Sequence, residues 1–195
     1  MRSVFHFIGR ALLFAILGVL TGVPGELNYS YLLRHDFPNF LHACAFNFFY
    51  LLIAFVLCTL IERLIPSRRI AFIIMYFIAG TVGLMIEWFM IGNSPRGNPA
   101  AMQSAMFSYW GALVIVPYIL LGPEMQPPLL RRNMLVFWML WSIASLGLTY
   151  WSLGIDPQLG FAVGVWSVIA EYIGFNYFFY LYARYALAKD DDANG

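Results

Sequence analysis

The chain has 195 residues, of which 62% are hydrophobic and 11% charged, and a formal net charge of +1. A soluble domain of this size carries about 25% charged residues, because small folds expose much surface to water. So few charges exclude an ordinary water-soluble fold, and the near-zero net charge excludes the basic field that nucleic acid requires.

Six stretches are long enough to cross a hydrocarbon layer as helices, which takes about 20 residues each. They predict an all-α integral membrane protein, a six-helix transmembrane bundle in one domain over 1–186, followed by a short polar tail over 187–195.

The first span is placed at 4–24, with Arg2 and Arg10 before its apolar stretch and Pro24-Gly25 ending it. No A-x-A-like cleavage site follows, so it reads as a retained helix rather than a signal peptide. Gly18 and Gly22 form a GxxxG face on it. The first outer loop then carries Glu26, His35 and Asp36. Asn28-Tyr29-Ser30 matches a glycosylation sequon, yet it lies close to the membrane. His35, Asp36 and His42 are zinc-type ligands, but H-D-x5-H is no established metal spacing, and no metal site is assigned.

The second span, 42–64, has His42 at its mouth and Asn47 a few residues inside. Its two thiols, Cys44 and Cys58, would lie about 21 Å apart on a helix, which excludes a disulfide between them. Glu62, Arg63, Pro66, Arg68 and Arg69 separate it from the third span, 69–92. There Glu87 shares a face with Gly80 and Gly83, and so points at a neighbouring helix about 7–8 Å below the rim.

Asn93 is expected to cap this helix, Ser94-Pro95-Arg96-Gly97 to form a type I turn, and Pro99 to start the next helix. The fourth span, 101–122, contains Pro117 and a small-residue face of Ser104, Ser108 and Gly111. Pro123, Pro127 and Pro128 precede Arg131 and Arg132. The fifth span, 133–153, carries Ser142, Ser145 and Thr149 on one face; Asp156-Pro157 leads to the sixth, 159–186. That last span has Gly160 and Gly164 at GxxxG spacing. It also has Glu171 near mid-membrane, with Ser167 one turn before it and Asn176 more than a turn after.

If the helices alternate, Arg2, Arg10, Arg63, Arg68, Arg69, Arg131, Arg132, Arg184 and Lys189 fall on one side, and only Arg34 and Arg96 on the other. The positive-inside rule then makes both termini cytoplasmic, and the setting expected is a bacterial cytoplasmic (inner) membrane. Tyr29, Trp88, Trp110 and Trp151 suit an outer aromatic belt and Tyr182 and Tyr185 an inner one. Trp138, Trp141 and Trp166 are expected to lie deeper, as core filling or as walls for a flat apolar ligand.

Ionisable groups at membrane depth cost about 2.5–3.5 kcal/mol on insertion scales, so they are paired or face water. Glu87 and Glu171 are therefore the candidate acid and base, since carboxyls in low-dielectric sites serve in either role. Asn47, His42, Trp88, Asn93, Arg96 and Asn176 are the candidate pocket residues. The alternatives are that Glu87 bonds to backbone or to Arg96 at the rim, and that Glu171 only holds a partner helix. Glu87-Trp88-Phe89 with Asn93 also echoes Glu171-Tyr172-Ile173 with Asn176, 84 residues on, as an inverted repeat of three plus three helices would.

Three roles fit. The first is an accessory, assembly or binding subunit holding a lipophilic small molecule or a partner helix, with an outward-facing polar pocket. The second is a lipid- or isoprenoid-modifying enzyme using Glu87 and Glu171. The third is a small proton-coupled transporter. Expected partners are membrane lipids, a lipophilic ligand, and a partner membrane protein or a second copy. No His-box, P-loop or nucleophile elbow supports a particular chemistry.

Overall fold

A computed structural model describes residues 2–94, 96, 100–122 and 128–186. Six helices in it are long and apolar enough to cross a membrane. α1 (Arg2–Glu26) continues as a π-helical segment (Leu27–Leu33). α2 is Phe37–Leu64, and α3 (Arg68–Ile86) also ends in a π segment (Glu87–Ile91). α4 is Ala100–Leu121, α5 is Pro128–Ile155, and α6 (Pro157–Leu181) runs on as a last π turn (Tyr182–Ala186). The chain is a polytopic, six-span, integral membrane protein, as its composition predicts.

Three boundaries differ from the sequence reading by five residues or more; one is the start of α5, at Pro128 rather than 133. Pro24-Gly25 does not end the first helix, which reaches Leu33. In hydrocarbon a broken helix leaves backbone groups without water, so the chain keeps its ladder and absorbs the proline by local change of pitch. Gly25 serves packing: a Cβ there would lie 2.4 Å from the Tyr172 hydroxyl. α2 starts at Phe37, five residues early, because the Asp36 carboxylate caps it at the Asn39 amide (2.9 Å) with Pro38 in the first turn. The link is tight: His35 has φ 54°, and the Asp36 amide returns to the Ser30 carbonyl.

α4 is the central post. It packs against α3, α6 and α1, and it is buried on every face along its middle. One core joins it to α1, α2 and α3 through Phe14, Leu51, Met75, Trp110 and Leu113. The other joins it to α3, α5 and α6 through Phe72, Ile119, Met134, Tyr172 and Phe175. Pro117 has no N–H to offer the Leu113 carbonyl one turn back. Gly18 of α1 lies against that oxygen, where a Cβ would come within 2.6 Å.

The small-residue faces do build the interior, with one exception: Ser108 and Gly111 are inside but Ser104 is exposed. Ser142, Ser145 and Thr149 are buried, joined by Ser152. Three aromatics depart from their expected places. Trp110 and Tyr182 are buried in the cores rather than in belts, and Trp166 faces outward at 61% exposure rather than filling a core. Trp110 goes inward because Gly83 leaves a hollow for its ring. Tyr185, the Pro95/Gly97 half of the turn, Pro99, Pro123, Pro127 and the 187–195 tail lie outside the residues whose side chains or backbone are described.

A three-plus-three repeat is not visible in the packing. α4 packs on α6, but α1 has no comparable packing on α3; α1 packs extensively on α2, whereas α4 meets α5 only at one end, where Arg131 bonds to the Ile119 carbonyl.

Candidate functional site

One cavity of about 150 Å³ lies between the end of α1, the end of α3, α4 and α6, toward the loops opposite the arginine-rich end. α4 contributes Met102, Ala105, Met106 and Tyr109; α6 contributes Val165, Val168, Ile169 and Tyr172. Each set has the spacing i, i+3, i+4, i+7 of a single helical face. Gly25, Glu26 and Tyr29 of the first span and Glu87 and Asn93 at the end of the third complete it. Tyr109 and Tyr172 meet edge to face in the wall, centroids 4.8 Å apart.

Both carboxyls are held by neutral donors. Glu87 Oε1 accepts from the Trp110 indole (3.1 Å) and Oε2 from the Asn93 amide (2.7 Å). The Gly92 backbone, at φ 89°, turns the chain so that the Asn93 N–H also closes on the Glu87 carbonyl. Gly92 is thus the left-handed residue that stops the helix, and Asn93 does the rest of the capping. Glu26 Oε1 accepts from the Tyr109 hydroxyl (2.9 Å) and Oε2 from Ser30 (3.2 Å). Tyr109 in turn accepts from Asn47 (2.6 Å), and Ser30 from Asn39 (3.1 Å). Among the described residues, no lysine, arginine or histidine lines the cavity.

Of the residues singled out from the sequence, Glu87 and Asn93 line this cavity, and Asn47 supports it through Tyr109. Trp88 is near but turned away, donating to Gln103 (2.7 Å). His42 is exposed on α2 and Arg96 is exposed in the turn; neither lines the cavity, and the Glu87 oxygens are taken by Trp110 and Asn93 rather than by Arg96. Asn176 belongs to a different junction, accepting from Tyr76 and donating to Ser108 (2.9 Å), which ties α3, α4 and α6 together.

Glu171 is also elsewhere. It is fully buried between α6 and α5, where Oε1 meets the Ser142 hydroxyl at 3.2 Å and Oε2 has no partner among the described residues. One turn away, Asn28 donates to Ser145 (2.8 Å) and Ser167 (3.3 Å), and Ser145 donates to Ser167 (2.8 Å). Asn28 is therefore an interior residue of a polar seam joining the first span to the last two, not a loop asparagine.

The sequence reading gave Tyr109 and Tyr172 no part in the pocket, and it offered Glu26 as a loop residue of the pocket rather than as the end of the first helix. Glu26 was placed in a loop by the apparent stop at Pro24-Gly25. The signal that finds it is the apolar text resuming after it, L-N-Y-S-Y-L-L, with Ser30 one turn on. The tyrosines end two similar helical stripes, M-x-x-A-M-x-x-Y and V-x-x-V-I-x-x-Y.

Comparison with protein-family models, with curated proteins and with solved structures finds no match for this chain. The class of protein defined is a polytopic, six-span membrane protein, and among its described residues two carboxyls line one cavity.

Proposed function

We propose that this is a membrane-embedded binding protein whose cavity holds the cationic head of a lipophilic small molecule. The observation that carries the reading is that two carboxyls, Glu26 and Glu87, and three tyrosines, Tyr29, Tyr109 and Tyr172, line one cavity, with no basic side chain in its lining among the described residues.

The energetics favour a cation. Each carboxyl in hydrocarbon costs about 2.5–3.5 kcal/mol. An interhelical hydrogen bond returns about 0.6 kcal/mol on average, so two neutral donors per carboxyl leave a demand for positive charge. An ammonium head meets that demand, and tyrosine faces add cation–π attraction. The apolar stripes of α4 and α6 suit the hydrocarbon part of such a molecule. The setting proposed is a bacterial cytoplasmic membrane with the arginine-rich end in the cytoplasm, which turns the cavity outward.

The test is calorimetric titration of the protein in zwitterionic lipid nanodiscs with dodecyltrimethylammonium, against dodecanol as the uncharged control. Saturable binding of the cation, weakened at least tenfold by Glu26→Gln with Glu87→Gln, is expected. Equal partition of the two amphiphiles, or binding unchanged in the double variant, would refute the reading.

A further inference from the structure

A second cavity, of about 350 Å³, opens at the opposite, arginine-rich end of the bundle, between α1, α2 and α4. His6 and Arg10 of α1 and Thr59, Glu62 and Arg63 of α2 supply its polar lining with Tyr118 of α4. Phe7, Phe14, Phe55 and Leu121 supply the apolar part. We propose that this cavity is a binding site for the phosphate headgroup of an anionic membrane lipid.

The charges argue for it. The lining holds two guanidinium groups and an imidazole against one carboxylate, Glu62, which accepts from the Tyr118 hydroxyl (2.5 Å) and keeps its charge; the balance is still positive. A positive-inside bias needs only basic residues near the helix ends. It does not require bases from two helices to converge on one cavity. Arg131 illustrates the other outcome: it lies at the same end but turns its guanidinium to the carbonyls of Ile119 (3.0 Å) and Gly122.

Depth argues for it too. Arg63 is in the last turn of α2 and Gly122 follows the end of α4, so the cavity mouth lies at the loop end of these helices; Arg10, about 9 Å along α1 from Val4, reaches it from deeper in the span. Guanidinium groups grip phosphate oxygens in a planar, two-pronged way. Basic pockets between helices on the cytoplasmic side are where anionic headgroups dock. The Phe7–Phe55 pair, centroids 5.2 Å apart, and the Phe14–Phe55 pair beneath it form the apolar floor on which the first acyl carbons would rest.

The experiment is native mass spectrometry of the full chain, released from micelles containing equimolar dioleoyl-phosphatidylglycerol and dioleoyl-phosphatidylcholine. Retention of phosphatidylglycerol at least tenfold over phosphatidylcholine is expected. Arg10→Gln with Arg63→Gln should abolish that preference, and Arg132→Gln, outside the cavity, should leave it intact. Equal retention of the two lipids overturns the proposal without any variant being needed. So does a preference that survives the double variant, or one reduced as much by Arg132→Gln, since bulk charge would then explain it. Inorganic phosphate raising the unfolding temperature as much as the anionic lipid does would assign the cavity to a soluble anion instead, and would overturn the lipid reading.

Discussion

Gly83 is the position where the packing makes its sharpest demand. A Cβ there would lie 1.9 Å from Trp110 Cγ and 2.2 Å from its Cβ, distances no contact tolerates. Gly83→Ala must therefore move α3 from α4 or expel the indole, which is 2% exposed and packed edge-on against Tyr50 at 4.9 Å. Overpacking of this kind costs about 1–3 kcal/mol. Losing the Trp110–Glu87 hydrogen bond adds about 0.6 kcal/mol. Alanine's better helix propensity returns about 0.8–1.0 kcal/mol. The net is a loss of about 1–3 kcal/mol by these terms together. Gly147 of α5 is the internal control: a Cβ there meets nothing within 4 Å, so Gly147→Ala should be neutral or stabilising. Unfolding in mixed dodecyl-sulfate micelles, followed by tryptophan emission, measures both. If Gly83→Ala is as stable as Gly147→Ala, the α3–α4 interface is not as described and the Glu87 geometry built on it fails too.

Two further outcomes follow from the polar interior. Ser142→Ala should destabilise by about 1–3 kcal/mol by leaving both Glu171 oxygens unpartnered. Glu171→Met should be far milder, since an apolar side chain of similar size needs no partner; the same unfolding assay decides between them, and equal losses would refute this view of the seam. Expressed in a glycosylating host, the protein should show no mass shift at the Asn28-Tyr29-Ser30 sequon, because Asn28 is fully buried with its amide bonded to Ser145 and Ser167. A glycosidase-sensitive shift in folded protein would contradict that burial.

The spans are legible in the sequence because the bilayer imposes a length and an apolar content that few other structures satisfy. The inward faces are legible where glycine and serine recur at helical spacing, as at Gly80, Gly83 and Glu87. The site is only half legible. Glu87 and Asn93 are found from the edge of a span, but the helical position of Glu26 is hidden by a Pro-Gly pair that would stop a helix in water. Inside lipid the same pair is a packing notch for Tyr172. Glu171 and Asn176 look like partners of Glu87 along the chain. Their side chains face α5 in one case and Tyr76 and Ser108 in the other, a matter of helix rotation that spacing within a single helix does not fix. Trp110 fails for a similar reason: belts are an average tendency of tryptophan, and one glycine opposite it outweighs the average.

The hydroxyl groups of this bundle differ from its amides in a way that bears on biogenesis. Thr21, Thr59, Thr149 and Ser152 each give their proton to a carbonyl four residues earlier in the same helix. Helices so equipped enter lipid with those groups already satisfied, whatever their neighbours. Asn28 has no such arrangement; the acceptors of its amide come from Ser145 and Ser167, 117 and 139 residues further on. During synthesis the first helix therefore waits with an open amide until the last two have been inserted. A ribosome that stalls after α4 would leave that amide facing lipid, a mark by which membrane quality control could tell an unfinished chain from a finished one.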